Sequence, residues 1–142
     1  MARVLARAVL WGGCALLALL NLAQASDPVI VANPSVRASS IAVGDLRDIF
    51  LGEKLTLPDG SRVEPVLLKG GPVHEAFLKA YIAKTDWAFR ASWRKLVFTG
   101  RGVLPKTFDT PEALLNYVAK TPGAIGYANV ASHANVKTLV VK

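Results

Sequence analysis

An apolar run, a glycine pair and a proline follow one another in residues 67–77, LLKGGPVHEAF. Apolar runs of this length favour a buried strand. Proline fits the first position of a helix, because its missing N–H would have no helical partner there. The glycines allow a tight turn between the two elements. The stretch therefore predicts a strand that turns directly into a helix, as in α/β folds.

The same alternation of strands and helices continues along the chain. The predicted strands are 28–32, 124–130 and 137–141, with a hairpin over 54–68 that turns at Pro58-Asp59-Gly60; the predicted helices are 42–52, 72–83, 86–98 and one that starts at Thr110-Pro111 and stops at 121–123. In the helix 72–83, apolar spacing places an inward face at Val73, Ala76, Phe77, Ala80 and Tyr81. In the helix 86–98, Phe89, Trp93, Leu96 and Val97 are predicted to point inward. The fold class expected from this order is α/β, in one domain.

The N-terminus has the features of a secretory signal peptide. Arg3 and Arg7 precede an apolar run over 8–20, and Ala23-Gln24-Ala25 has the small-x-small pattern of a cleavage site. We therefore expect residues 1–25 to be removed and residues 26–142 to form the exported, periplasmic domain. An uncleaved anchor is the alternative, although the run is short for a bilayer span.

Composition excludes several classes of function. The only cysteine, Cys14, lies in the predicted signal peptide, so residues 26–142 have no thiol for a disulfide or for catalysis. They carry 15 basic and 10 acidic side chains, a net charge of +5. This charge favours small anions or an anionic surface as partners, and for an exported chain we expect no nucleic acid. Ordinary solubility explains such a charge equally well.

Motifs for catalysis, metal binding and cofactor binding are missing from the sequence. His74 and His133 are 59 residues apart, and no second histidine follows His74 at the spacing of a zinc protease. The nucleophile elbow, the Walker A phosphate-binding loop of P-loop NTPases and the dinucleotide-binding fingerprint do not occur. We therefore predict a protein that is not an enzyme, with no cofactor and no metal site.

The glycine turn is the best candidate for a ligand site. Free N–H groups at the start of a helix, together with the helix dipole, attract an oxyanion. The predicted seat consists of Lys69, Gly70, Gly71, Val73 and His74. A simple tight turn without a ligand is the alternative.

Two other groups of polar side chains are candidates for binding. Ser39 and Ser40, in a predicted loop, are possible hydroxyl donors to the same anion, or caps of the next helix. Arg90 and Arg94 lie one turn apart on the helix 86–98, with Arg101 just beyond it. These three arginines predict a weak partner-binding patch, or else a solvated helix face.

Several motifs, taken in order, resemble a known family. They are LRDIFLGEKLTLPDG at 46–60, the glycine turn with EAF at 70–77, SWRKLVFTGRG at 92–102 and TPGAIGY at 121–127. The series resembles the substrate-binding proteins of phosphate ABC transporters, which have the type 2 periplasmic binding fold. The resemblance implies one lobe of that fold, a mixed sheet flanked by helices, that holds an oxyanion with backbone and hydroxyl donors.

The sequence also departs from this family. Aligned on Glu75-Ala76-Phe77, the family's Ser-Gly-Thr phosphate loop falls on Gly71-Pro72-Val73, so both hydroxyls are lost and Pro72 removes an N–H. The loop contains no carboxylate to accept a proton from phosphate. The family's proteins have two lobes, and this chain is long enough for about one.

Two functions remain open on the sequence. The first is an exported solute-binding-like protein that binds phosphate or a related oxyanion weakly, for an ABC transporter or a sensing system. The second is a non-catalytic accessory or interaction module of the cell envelope that has lost ligand binding. The expected partners are accordingly a small inorganic oxyanion, a membrane transporter or an envelope protein.

Overall fold

The computed structural model describes residues 27–129 and 135–142, and its central feature is a five-stranded sheet. The strands are β1 (Val29–Ala32), β2 (Ser40–Ile41), β3 (Glu64–Pro65), β4 (Leu67–Leu68), β5 (Thr107–Phe108), β6 (Ala124–Ala128) and β7 (Lys137–Val141). The helices are α1 (Val43–Phe50), α2 (Pro72–Phe77), α3 (Asp86–Phe98) and α4 (Pro111–Lys120), and α2 continues as a π-helical turn, Leu78–Ile82.

The main sheet is mixed, in the order β2-β7-β1-β6-β3. The central strand β1 is antiparallel to β6 and β7, whereas the outer strands β2 and β3 run parallel to β7 and β6. Strands β4 and β5 form a separate parallel pair. Between β3 and β4, the Val66 N–H donates to the Ile125 carbonyl at 2.9 Å, so this segment passes from one sheet to the other. The predicted α/β class with a mixed sheet flanked by helices is confirmed.

Two of the helices begin where their capping residues predict. Thr85 precedes α3, and its hydroxyl accepts a hydrogen bond from the Ala88 N–H at 3.2 Å. Thr110 caps α4 in the same way through the Ala113 N–H, also at 3.2 Å. Such caps satisfy N–H groups that the first helical turn leaves unpaired. The two threonines therefore fix the residue at which each helix starts.

Aromatic rings form the middle of the core. Tyr127 of β6 stacks on Phe77 of α2, with ring centroids 3.9 Å apart, and Phe50 of α1 meets Phe77 edge-on at 4.8 Å. All three rings are fully buried. On another side of β6, α4 packs so closely that a Cβ on Gly126 would lie 2.7 Å from Leu114 Cδ2. Only glycine fits β6 at this position.

The buried face of the helix 72–83 differs from the prediction. Its buried residues are His74, Phe77, Leu78 and Ile82, whereas Ala80 is exposed and Val73, Ala76 and Tyr81 are half-buried. The wider π-helical turn, which ends at Ala83 in the left-handed conformation, shifts the phase of the helix. This shift acts only after Phe77; before it, His74 is buried where its ring meets Tyr127 and Asp86. Of the predicted face, only Phe77 is fully buried.

Three further local predictions need correction. Ser40 belongs to β2 and not to a loop. The strand predicted before the glycine turn is divided into β3 and β4, which lie in different sheets. Val97 and the neighbouring Phe98 are exposed at the end of α3, although Val97 was predicted to point inward.

Residues 1–26 lie outside the described residues, so the predicted signal peptide remains a prediction. His133 lies in the other segment that is not described, 130–134. Within the described part of the chain, no helix combines the length and apolarity that crossing a bilayer requires.

Candidate functional site

The glycine turn lies open to solvent between β4 and α2. Gly71 has φ +94° and ψ 178°, a conformation that residues with a Cβ rarely adopt. A Cβ added to Gly70 or Gly71 would have no atom within 4 Å. Among the described residues, the N–H groups of Val73 and His74 have no hydrogen-bond acceptor, whereas the Glu75 N–H donates to the Gly71 carbonyl at 3.0 Å. Space and unpaired donors therefore coincide at this turn.

Lys69 lies at the edge of the turn and is held by a neighbouring loop. Its backbone N–H donates to the Phe108 carbonyl of β5 at 2.9 Å, and its ammonium is 3.0 Å from Asp109 Oδ1. Both side chains are well exposed, so water screens this ion pair. Sequence reasoning missed Asp109, because only the pairing of β4 with β5 brings it to the turn. Its carboxylate offsets part of the positive charge of the seat.

The imidazole of His74 is not part of the open turn, and this corrects the predicted role of its side chain. The residue is only 1% exposed, and both ring nitrogens are occupied. Nδ1 lies 2.5 Å from the hydroxyl of Tyr127, and Nε2 lies 2.9 Å from Asp86 Oδ1. His74 therefore lies behind the turn, and neither ring nitrogen is open to a ligand there.

A single assignment of protons satisfies this buried cluster. The Leu68 N–H donates to the Tyr127 hydroxyl at 3.0 Å, so the phenol can donate its own proton to His74 Nδ1. The imidazole then carries its proton on Nε2 and donates to Asp86. In this neutral tautomer each buried polar atom of the cluster has a partner, as buried polar groups require.

Arg90 completes the cluster and connects it to the turn. Its Nε donates to Asp86 Oδ2 at 2.8 Å, and its Nη2 donates to the backbone carbonyl of Lys69. The arginine thus joins α3 to the first residue of the seat. The structure separates Arg90 from the predicted partner patch, because its guanidinium is already engaged. We refer to Tyr127, His74, Asp86 and Arg90 together as the relay.

The surroundings of Asp86 and Tyr127 shift the pKa values of both side chains. Burial alone would raise the pKa of Asp86, but hydrogen bonds from Arg90 and His74 outweigh it and hold the pKa below its usual value. Burial raises the pKa of Tyr127 well above its usual value, so the phenol stays neutral. Tyr127 is fully buried and lacks access to a substrate. The relay therefore fixes geometry and supplies no activated nucleophile.

Ser39 and Ser40 do not meet the glycine turn, which corrects their predicted role as donors to it. They lie at β2, on the outer edge of the main sheet, and the Ser39 carbonyl accepts from the Val140 N–H at 3.0 Å. Four strand spacings separate β2 from β3, a distance of about 19 Å. The turn follows β4, beyond that opposite edge.

Arg94 lies on α3, and Arg101 lies in the loop that follows it. Arg94 borders a cavity of about 350 Å³, and Arg101 borders a second cavity of about 720 Å³. The two cavities meet at Trp93, Leu104 and Pro105. Both arginines are exposed, and neither has an ion pair within the described residues. In the same part of the chain, no three metal-ligating side chains come together.

Several solved structures share this fold. An ABC-type phosphate transport receptor from Vibrio cholerae is 13% identical, with a TM-score of 0.51, over 81% of this chain and 46% of that chain. A protein described as a phosphate ABC transporter substrate-binding protein with bound phosphate, from Clostridium perfringens, is 13% identical, with a TM-score of 0.62, over 81% and 44%. A possible phosphate binding protein from Planctomyces limnophilus is 14% identical, with a TM-score of 0.54, over 82% and 41%.

The chain has the fold of one lobe of a periplasmic binding protein. It spans less than half the length of each of the three structures. No protein-family model and no curated protein sequence matches it. The predicted family resemblance is thus confirmed at the level of the fold, and all three structures are described by their binding or transport role and not as enzymes.

Proposed function

We propose that this lobe binds a small oxyanion, with phosphate as the first candidate, at the glycine turn and without catalysing a reaction. The seat consists of Lys69, Gly70 and Gly71 with the backbone N–H group of Val73, while the buried His74 supports it from behind. It would serve an ABC transporter or a sensing system in the periplasm. The observation that carries the proposal is the open glycine turn, with free space at Gly70 and Gly71 beside the Val73 N–H, on a solute-binding fold.

The relay supports this proposal because it fixes the turn before any ligand arrives. Arg90 holds the carbonyl of Lys69, and His74 ties the start of α2 to the core strand β6. A turn that is already ordered loses little conformational entropy on binding. Its donors then require no rearrangement to meet an anion.

Weak affinity follows from the same geometry. The seat has no hydroxyl donors, Pro72 has no N–H, and Asp109 lies beside the only ammonium of the turn. The site is also open, so water competes for each hydrogen bond and screens each charge. We expect a dissociation constant for phosphate in the high micromolar to millimolar range.

Calorimetric titration with phosphate at low salt tests the proposal. The substitution Lys69→Ala removes the ammonium, and Gly70→Asp places a carboxylate in open space at a glycine whose φ is not positive. Both variants should lose the binding heat while keeping the fold. Lys79→Ala is the matched control, because Lys79 is exposed and lies outside the seat.

The outcome separates two functions. Heat that saturates, and that disappears in Gly70→Asp but not in Lys79→Ala, supports the anion site. Absence of heat up to about 10 mM phosphate, a limit of about −2.7 kcal/mol in binding free energy, contradicts it. The Lys69–Asp109 ion pair favours the alternative in that case, a non-catalytic accessory module of the cell envelope, since the lysine already has a partner.

A further inference from the structure

The net charge of the domain is concentrated in one segment, residues 87–108. Residues 26–142 carry 15 basic and 10 acidic side chains, and 87–108 contains five of the basic ones and no acidic one. The remaining residues of the domain therefore balance at ten of each sign. The five cations are Arg90, Arg94, Lys95, Arg101 and Lys106. All of the excess positive charge thus lies in 87–108, that is, in α3 after its first residue and in the segment that follows it.

The same segment contains most of the exposed apolar surface. Five of the eight large hydrophobic residues that are exposed in the described part of the chain lie in it: Trp87, Val97, Phe98, Val103 and Leu104. Trp87 is 75% exposed, Val103 86% and Phe98 93%. Side chains exposed to this degree protrude from the surface and do not line a closed site.

These charged and apolar side chains share one face of α3. At 3.6 residues per turn, Trp87, Arg94 and Phe98 fall within about 40° of one another. Phe89 and Trp93 point to the opposite side and are buried in the core. The loop continues this face, because Leu104 borders one cavity with Arg94 and another with Arg101 and Lys106. We call this surface the α3 face.

The acidic groups near the α3 face are both occupied. Asp86 pairs with Arg90 and His74, and Glu64, in the larger cavity, accepts a hydrogen bond from the Tyr117 hydroxyl at 2.8 Å. Within the described residues, Arg94, Lys95, Arg101 and Lys106 form no ion pair. Four cations are thus available to an external anionic surface.

We propose that the α3 face docks this domain on an anionic lipid surface. A helix that lies in a bilayer interface presents aromatic and aliphatic side chains to the acyl boundary and lysine or arginine to the headgroups. The apolar contacts would come from Trp87, Phe98 and Val103. The contacts to the headgroups would come from Arg94, Lys95, Arg101 and Lys106. The proposal is independent of anion binding at the glycine turn, because the two surfaces share no residue.

A lipid surface fits this face better than a second copy of the chain does. Two copies joined through the same face would bring their cations together, which charge repulsion opposes. A lipid surface instead offers a layer of negative charge with apolar material directly beneath it. The basic side chains of the α3 face can meet the charged layer while its protruding apolar side chains enter the layer beneath.

Vesicle binding tests the proposal with protein purified from cells that express the full chain. The probe is vesicles of about 70% phosphatidylcholine and 30% phosphatidylglycerol, with pure phosphatidylcholine as the neutral comparison, at about 0.1 M salt. We expect co-sedimentation with the anionic vesicles and a blue shift of Trp87 emission. Trp93 is buried and donates its Nε1–H to the Phe50 carbonyl, so its emission does not change. Trp87→Phe should abolish the shift and keep the binding.

Two pairs of substitutions separate the electrostatic contribution to vesicle binding from the apolar one. Arg94→Glu with Lys95→Glu should weaken partitioning at least about 25-fold, since each cation near an anionic bilayer contributes about fivefold. Phe98→Ser with Val103→Ser should weaken it at least about tenfold. Lys79→Glu with Lys120→Glu makes the same change in net charge away from the α3 face and should have a much smaller effect. All variants share one N-terminus, so differences between them report only the substitutions.

Three results would overturn the proposal. One is no difference between anionic and neutral vesicles. Another is an equal loss in the control pair, which would mean that only net charge matters. The third is binding with no Trp87 shift and no effect of Phe98→Ser, which would mean that the apolar side chains do not enter the bilayer. A self-associated protein in sedimentation equilibrium that does not bind vesicles would assign the face to a second copy.

Discussion

The Nε2 atom of His74 lies 2.9 Å from Oδ1 of Asp86, so an imidazole in the core is paired with a carboxylate that reaches solvent. The two residues belong to different helices, α2 and α3, and the contact joins these helices beside the glycine turn. On its other side His74 meets Tyr127 of the central sheet. The histidine is therefore a structural junction between the sheet and the two helices that frame the candidate site.

Replacement of His74 should test this junction directly. His74→Phe keeps an aromatic ring but leaves the buried Tyr127 hydroxyl without an acceptor for its proton, while Asp86 keeps Arg90. An unsatisfied buried polar group costs about 1–3 kcal/mol. We expect a loss of about 2–3 kcal/mol in the free energy of unfolding, measured by urea denaturation. The double variant with Tyr127→Phe should cost less than the sum of the single variants, by at least about 1 kcal/mol. Additive losses would contradict a hydrogen-bonded pair.

The lowered pKa of Asp86 gives a pH dependence with a defined sign. A carboxyl with a lower pKa in the folded state stabilises the fold above its unfolded pKa of about 3.9, and this stability is lost as the pH falls through the folded pKa. Asp86→Asn should thus be less stable at pH 7 and should lose less stability between about pH 5 and pH 2. The midpoints of urea unfolding at a series of pH values measure this pH dependence of stability. Asp27→Asn, at an exposed residue with no ion pair in the described structure, is the comparison.

The close approach of α4 to β6 predicts a large effect of one methyl group. Gly126→Ala would place Cβ 2.7 Å from Leu114 Cδ2 and 3.1 Å from Val66 Cγ2, so these buried side chains must shift. Overpacking of this kind costs about 1–3 kcal/mol. Gly44→Ala, in α1, meets no atom within 4 Å and should instead stabilise the fold by up to about 1 kcal/mol. Thermal unfolding of the two variants should therefore shift in opposite directions.

Asp109 is predicted to limit anion affinity at the glycine turn. Asp109→Asn removes the carboxylate from the Lys69 ammonium without changing the shape of the side chain. If the turn binds phosphate, the affinity should rise about two- to fivefold, the effect of one exposed charge at this distance. Stability should change by less than about 0.5 kcal/mol, since the ion pair is exposed. A fall in affinity in calorimetry would instead assign Asp109 a direct contact with the ligand.

The local elements of this fold could be predicted from the sequence, whereas the long-range pairings could not. Thr85 and Thr110 mark their helices because a cap acts within three residues of itself. The role of His74 was missed because its partner Tyr127 lies 53 residues away. Asp109 was missed for the same reason, since it reaches Lys69 only through the pairing of two short strands.

The candidate site was only partly predictable. The open glycine turn was located from the glycine pair and the proline, but the choice of its polar neighbours depended on which sheet edge each strand occupies. Ser39 and Ser40 were placed near the turn, whereas β2 lies at the opposite edge. The π-helical turn after α2 likewise has no clear signal in the residues 78–82, and it decides which side chains of that helix are buried.

The position of β1 in the sheet sets an order of events during synthesis. Strand β1 pairs on both sides, with β6 and β7, and its Val29 is opposite Ala128. A nascent chain that ends before residue 124 therefore has α1, α2, α3 and α4 but neither neighbour for its central strand. Contacts between such distant residues form slowly, because a long loop must close first. The sheet can be completed only when nearly the whole domain is free of the ribosome or of a translocation channel. A chain that stalls before residue 124 would therefore stay unfolded enough to pass through such a channel.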